Sequence, residues 1–248
     1  MAGLDWLTAR PIAHRGLQDA SAGVIENTAS AFSAAIAGGY GIECDVQVSG
    51  DGEAMVHHDA ALGRLAEGHG RLADMDSAAI KKARFKQSAD RILTLGELCE
   101  VVAGRATLVI ELKSHFDGDR RLAQRTADVL ANYAGPVAVM SFDPAAIEAV
   151  RAAAPGLPRG MVAERHYSHP EWDALPASAK RRMVHFTHAH RTRPHFIAYS
   201  VRDLPAAAPL IARHIFGLPL LTWTVRTEDD RRRALRWADQ MIFEGWRP

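Results

Sequence analysis

The chain has 248 residues, 48% hydrophobic and 24% charged, with 30 basic and 29 acidic side chains for a net charge of +1. These values describe an ordinary globular chain long enough to bury a sizeable core, and they exclude a disordered, collagenous or low-complexity protein. A net charge near zero also speaks against a binder of nucleic acid or a polybasic membrane binder.

The near-neutral sum conceals an asymmetry. Residues 1–150 carry 14 basic and 20 acidic side chains, and residues 151–248 carry 16 and 9. Cys44 and Cys99 are too few for a disulfide framework. Residues 1–10 do not read as a signal peptide, and no run of about 18 apolar residues could span a bilayer. A cytoplasmic protein without stable membrane association is expected.

In chain order, a short apolar strand is expected at 11–14, then a helix running to Ala37, capped by Asn27 or Thr28 and ended by Gly38-Gly39. Strands follow at 41–48 and 53–58. A helix at 95–102 has Thr94 as cap and Glu97 three residues on, the spacing of a capping box. Strands at 107–113 and 137–142 precede a helix opened by Asp143-Pro144. Beyond a strand at 159–163 comes one long irregular stretch, residues 164–194, and six of the twelve histidines fall at positions 166–195. Strands at 195–200, 218–225 and 240–244 complete the set, with a helix at 228–238 begun by Thr227 and rich in acids early.

Several strands are unbroken apolar runs, as in Leu108-Val109-Ile110, which suits a parallel sheet covered on both faces. Strand–helix alternation at this length points to a (β/α)8 barrel forming a single domain over residues 1–248, with 164–194 as an excursion within it. Nine strand candidates compete for eight places. The Gly50-Asp51-Gly52 turn resolves the excess by making a β-hairpin after the second strand. A loop at Gly50-Asp51 would set Glu43 opposite His58, and a turn centred one residue later would set Asp45 there.

Glu43 and Asp45 are two apart in a strand and point to one face, while Cys44 points to the other into helix packing. Glu111 and Lys113 repeat that geometry. Three acids facing one barrel mouth repel strongly unless a cation lies between them. Such oxygen donors suit magnesium, calcium or manganese rather than zinc. A network of ion pairs with Arg15 and Lys113 is the alternative. His14-Arg15-Gly16 follows the first strand directly, and the hairpin brings His58 to the same mouth, so two histidines and a cation could move protons in and out. His57 should point away. Trp223 reads equally as core or as a substrate contact, and His185, His188, His190 and His195 read as a solvated or substrate-facing loop or as a weak zinc cluster. Arg231-Arg232-Arg233 after Asp229-Asp230 reads as an exposed helix face with local ion pairs.

His14-Arg15-Gly16, Glu26-Asn27-Thr28, Glu43-x-Asp45, His58-Asp59, Glu111-x-Lys113, Ser141-Phe142 and Trp223-Thr224-Val225 occur in this order. In this the chain resembles glycerophosphodiester phosphodiesterases from about Pro11 to its C-terminus. The resemblance implies a TIM barrel that hydrolyses glycerophosphodiesters to glycerol 3-phosphate and an alcohol. It implies His14 and His58 as the acid/base pair, and Glu43, Asp45 and Glu111 as ligands of one divalent cation, Mg or Ca. Arg15 and Lys113 would then bind phosphate, with Trp223 at the substrate. Some relatives first form a cyclic phosphate by attack of the glycerol 2-hydroxyl. Two positions depart from the family pattern: Arg226 stands where Asn is common, and Phe243-Glu244 where Thr-Asp is usual. A lysophospholipid or phospholipase-type phosphodiesterase is the nearest competing reading, and a non-catalytic anion-binding barrel a more distant one. A homo-oligomer is left open.

Overall fold

Strands with apolar residues on both faces need cover on both, and here helices supply it outside while side chains fill the inside. The chain is described over residues 3–169 and 172–248 of a computed structural model. The strands are β1 (Ile12–Ala13), β2 (Gly41–Val48), β3 (Ala54–Val56), β4 (Leu108–Leu112), β5 (Val137–Ser141), β6 (Arg159–Ala163), β7 (Phe196–Ser200), β8 (Leu220–Val225) and β9 (Gln240–Phe243). Eight of them are parallel and run β1-β2-β4-β5-β6-β7-β8-β9, and β9 pairs back onto β1 to close the barrel. β3 lies outside the ring, antiparallel to β2. The expected barrel with a hairpin after its second strand is the fold observed.

The helices are α1 (Asp5–Thr8), α2 (Ala29–Ala37), α3 (Ser77–Ile80), α4 (Leu95–Val102), α5 (Arg121–Leu130), α6 (Pro144–Ala153), α7 (Ala177–Val184), α8 (Ala189–Thr192), α9 (Ala207–His214) and α10 (Glu228–Trp237). Alternation divides the strand residues cleanly. Ile42, Cys44, Val46, Leu108, Ile110 and Val139 face the helices, while Val109, Ala138, Met140, Val162, Phe196 and Leu221 fill the barrel. α1 closes the N-terminal end of the barrel. Its Leu7 joins the interior cluster, and Thr107 and Gln240 donate hydrogen bonds to the carbonyls of Trp6 and Thr8 at 3.1 and 2.8 Å.

The hairpin register differs from both alternatives. Val46, Gln47 and Val48 pair with Val56, Met55 and Ala54, and the His57 amide donates to the Asp45 carbonyl at 3.0 Å. His57, not His58, therefore lies beside Asp45. The reason is the loop, which is five residues rather than two. Ser49 N–H donates to the Glu53 carbonyl, Glu53 N–H donates to Ser49 Oγ, and Gly52 turns the chain at a φ of 86°. β3 then stops at Val56, and the chain bends so that His58 still reaches the mouth, its carbonyl held by Gln47 Nε2 at 2.8 Å.

The 164–194 excursion is partly helical, contributing α7 and α8, and residues 170–171 within it lie outside those described. It packs its own cluster of Tyr167, Trp172 and Met183. A second long segment, residues 57–93, was not singled out from sequence. Apart from the single turn of α3 and a 3-10 turn at Leu72–Asp74 it is irregular, and it holds together through Leu62, Leu72, Ile80, Phe85 and Ile92 packed on Met55.

Gly160 faces the barrel interior, where a Cβ would overlap the Phe196 ring of the adjacent strand. Gly160→Ala should lower stability by about 1–3 kcal/mol through overpacking. Gly156→Ala, with nothing within 4 Å of the new methyl, should leave the urea midpoint unchanged.

Candidate active site

Register places the acids. Asp45 and Glu111 are lateral partners on β2 and β4, and Glu43 lies one inward step earlier on β2. All three are buried, and one carboxylate oxygen from each falls within 4.8 Å of the others. Burial, and then the charges of Asp45 and Glu111, push the Glu43 carboxyl well above its ordinary pKa. Asp45 goes the other way. Burial opposes its charge, but Lys113, Arg15, His58 and His14 hold its pKa far below the usual carboxylate range.

Two cations brace this triad. Lys113 Nζ lies 2.9 Å from Glu111 Oε1 and 3.3 Å from Asp45 Oδ1. Arg15 Nη1 donates to Glu26 Oε1 at 2.8 Å, and its Nε lies 3.2 Å from Asp45 Oδ2 as an ion-pair contact rather than an aligned hydrogen bond. Burial works against both charges, yet the surrounding carboxylates raise both pKa values. Arg15 reaches this position through a left-handed backbone at φ 57°, and its own amide donates to Glu43 Oε2 at 3.0 Å. Asn27, also left-handed at φ 58°, donates to Asp45 Oδ2 and accepts from the Asp45 amide. Non-glycine residues hold such conformations only where neighbours impose them, and they concentrate at functional sites.

Each histidine is backed by a carboxylate that is itself clamped by an arginine. His14, directly after β1, places Nδ1 2.6 Å from Glu244 Oε2, and Arg226 Nη2 donates to the same oxygen at 2.9 Å. His58 places Nδ1 2.8 Å from Asp59 Oδ1, and Arg64 donates to both Asp59 oxygens at 2.6 and 3.0 Å. A carboxylate at Nδ1 keeps a proton there, so Nε2 is the nitrogen left for exchange. Burial lowers the pKa of His14 against the raising effect of Glu244. Arg64 also bridges to Glu26, which ties the second histidine's support to Arg15.

His14, Arg15, Glu43, His58, Glu111, Lys113 and Trp223 line one cavity of about 300 Å³ at the C-terminal ends of the strands, with Asp45 buried behind it. Trp223 packs edge-on to Phe142 at 5.5 Å. His57 is buried and does not line the cavity. Among the described residues, His185, His188, His190 and His195 form no metal-competent group, and the carboxylate triad does. Arg231 and Arg232 make the expected local ion pairs with Glu228 and Asp229.

Three contributors were not assigned from sequence. Glu244 was seen only as a departure from a pattern. Its signal is barrel closure, since the last strand must end beside the first, and the His14 amide indeed donates to the Phe243 carbonyl at 2.9 Å. Asp59 is simply the residue after His58, and the sequence alone gives it no role. Arg64 comes from an irregular segment and carries no sequence signal.

Oxygen donors, carboxylate-backed histidines and cations gathered at the C-terminal end of a (β/α)8 barrel define a barrel enzyme equipped for an anionic substrate. The sequence model of the glycerophosphoryl diester phosphodiesterase family matches residues 14–243, and the chain belongs to that family. It is 30% identical over 235 residues to a glycerophosphodiester phosphodiesterase of Caldanaerobacter subterraneus, covering 91% of this chain and 89% of that protein. The likeness to a glycerophosphodiester phosphodiesterase of Bacillus subtilis is 27% over 258 residues, or 95% and 83% of the two chains. Among solved structures, a phosphodiesterase of Oleispira antarctica in complex with the product sn-glycerol-3-phosphate superposes with a TM-score of 0.76 at 22% identity, covering 96% and 94% of the two chains. A glycerophosphodiester phosphodiesterase of Thermotoga maritima gives 0.69 at 23%, covering 94% and 92%. Both share the barrel fold.

Burial raises the cost of the Glu244 charge, but the His14 contact and Arg226 outweigh it and hold the pKa at about 2, against an ordinary 4.5. A depressed carboxylate stabilises the fold above its unfolded pKa and loses that contribution as pH falls through the folded value. Between pH 4.5 and about 2 the wild type should therefore lose more stability than Glu244→Gln in urea titrations. At neutral pH the same variant should stay folded and lose about 10²-fold in kcat, the lower end of what acid–base assistance contributes.

Proposed function

We propose that the chain hydrolyses small soluble glycerophosphodiesters to glycerol 3-phosphate and an alcohol, with one divalent cation at Glu43, Asp45 and Glu111. The observation that carries this reading is the convergence of the triad, Arg15, Lys113 and both carboxylate-backed histidines on a single cavity. The donor set fits a hard cation. Three buried carboxylates repel one another, and burial together with that repulsion raises the Glu43 pKa. Either magnesium or calcium suits such ligands. When bound, the ion supplies charge neutralisation and polarisation at the phosphoryl oxygens.

A phosphodiester resists attack because its anionic oxygens repel nucleophiles. Arg15 offers a planar fork to those oxygens and Lys113 a point charge. In the same reading His14, kept neutral by burial, accepts at Nε2 the proton of the attacking hydroxyl, from water or from the glycerol C2 position, the latter giving a cyclic phosphate that a water molecule then opens to glycerol 3-phosphate. His58 delivers a proton to the departing alkoxide from its own Nε2. The oxygen–phosphorus bond to the nucleophile forms as the bond to the alcohol breaks, and the two imidazoles exchange protonation states.

The unit doing this work is the whole chain, 1–248, as one domain, with residues 164–194 as a wall of the cavity through His169 and Trp172. A soluble substrate is supported by the surface. The exposed large apolar side chains Ile211, Ile215, Phe216 and Leu235 sit on or just after α9 and on α10, and none lines the mouth. No helix among the described residues is long and apolar enough to cross a membrane. Two free thiols, Cys44 and Cys99, fit a reducing compartment such as the cytoplasm.

Release of glycerol 3-phosphate from glycerophosphocholine should require added magnesium or calcium and stop with chelator. His14→Ala and His58→Ala should each lose about 10²–10⁴-fold in kcat. The two variants should separate on a substrate whose leaving group is p-nitrophenolate. His58→Ala should recover most of its loss because that group departs unprotonated, and His14→Ala should not. Recovery by His14→Ala alone would reverse the two roles.

A further inference from the structure

The surplus of basic residues beyond position 150 does not gather at the mouth. Val162 on β6 lines the mouth cavity, whereas Arg159, the first residue of the same strand, lines a groove of about 730 Å³ at the opposite end of the barrel. Arg151 at the end of α6 and His190, Arg191 and Arg193 in and after α8 complete its basic lining.

Arg159 is only 4% exposed. Its guanidinium donates to three carbonyls, of Thr192 at 3.0 Å, Pro155 at 3.1 Å and Leu157 at 3.3 Å. Nη2 makes no hydrogen bond among the described residues, and no carboxylate there pairs with the group. Arg151 donates to the Arg191 carbonyl and Arg193 adopts a left-handed φ of 44°, and neither has a carboxylate partner among the described residues. The single acid in the lining, Glu148, is taken by Arg191 at 2.8 Å. Burial and the charges of Arg151 and Arg193 accordingly lower the Arg159 pKa. Buried charge is tolerated when it is paired, and here the pairing partner is missing while three guanidiniums face one space.

We propose that this groove is an anion site for a compact, multiply charged phosphate of the pyrophosphate type. Three unpaired guanidiniums match an anion of about three charges, and guanidinium forks bind phosphoryl oxygens bidentately. The groove is also large for a single orthophosphate. Free pyrophosphate and the phosphate tail of a nucleoside diphosphate share this chemistry.

The test is calorimetric titration of the full-length protein with sodium pyrophosphate, ADP and orthophosphate in buffer free of divalent ions. One pyrophosphate should bind per chain, more tightly than orthophosphate, and weaken as salt rises. ADP binding as tightly as pyrophosphate assigns the site to a nucleotide tail, and weaker ADP binding assigns it to the free anion. The double variant R151Q/R193Q changes rim side chains and should fold normally. It should weaken pyrophosphate by about tenfold or more, the scale of lost charge-assisted hydrogen bonds, while Lys113→Ala at the other end leaves it unchanged. Absence of binding at millimolar pyrophosphate, equal binding of orthophosphate, or loss in Lys113→Ala with retention in R151Q/R193Q would each overturn the proposal.

Discussion

Three carboxylates held within 4.8 Å of one another in a buried barrel mouth are the constraint around which the rest is arranged. Alone they would repel and protonate, and the fold answers by threading cations among them. Lys113 follows directly after β4, two residues from Glu111, and keeps to the same face. Arg15 arrives from the turn after β1, and both it and Asn27 must adopt left-handed backbone to meet Asp45. The compensation is uneven. Asp45 is held ionised while Glu43 is pushed towards protonation, which leaves the triad short of positive charge.

The histidines depend on the same closure. His14 finds its carboxylate only because β9 returns beside β1, bringing Glu244 to within 2.6 Å. His58 finds its own in the adjacent residue, fixed by Arg64, which also grips Glu26 and so reaches Arg15. The two imidazoles thus sit in similar shells built from unrelated parts of the chain.

Much of this was legible in the residues. All nine strands fell within a residue or two of their observed places, the eight of the barrel because buried parallel strands are apolar on both faces. The helices that announced themselves, α2, α4, α6 and α10, are those with side-chain caps at Thr28, Thr94, Asp143 and Thr227. α5, α7 and α9 follow Arg120, Pro176 and Ala206, whose side chains make no such cap. The hairpin register escaped because Ser49 closes a five-residue loop through its hydroxyl, a contact that a turn dipeptide does not encode. Arg64 and Glu244 escaped because their roles exist only once distant segments meet. The charge asymmetry between the two parts of the chain does not by itself say where the arginines lie. Arg226 is the arginine of the basic part that lines the mouth, and Arg151, Arg159, Arg191 and Arg193 lie at the other end.

The central claim is that the triad's shortage of positive charge is met by one divalent cation, and the direct measurement is calorimetric titration of metal-stripped protein with magnesium and with calcium. The account predicts one ion bound per chain and loss of that binding in Asp45→Asn, with the variant still folded by circular dichroism. Failure of the wild type to bind either ion, or undiminished binding by Asp45→Asn, would contradict it.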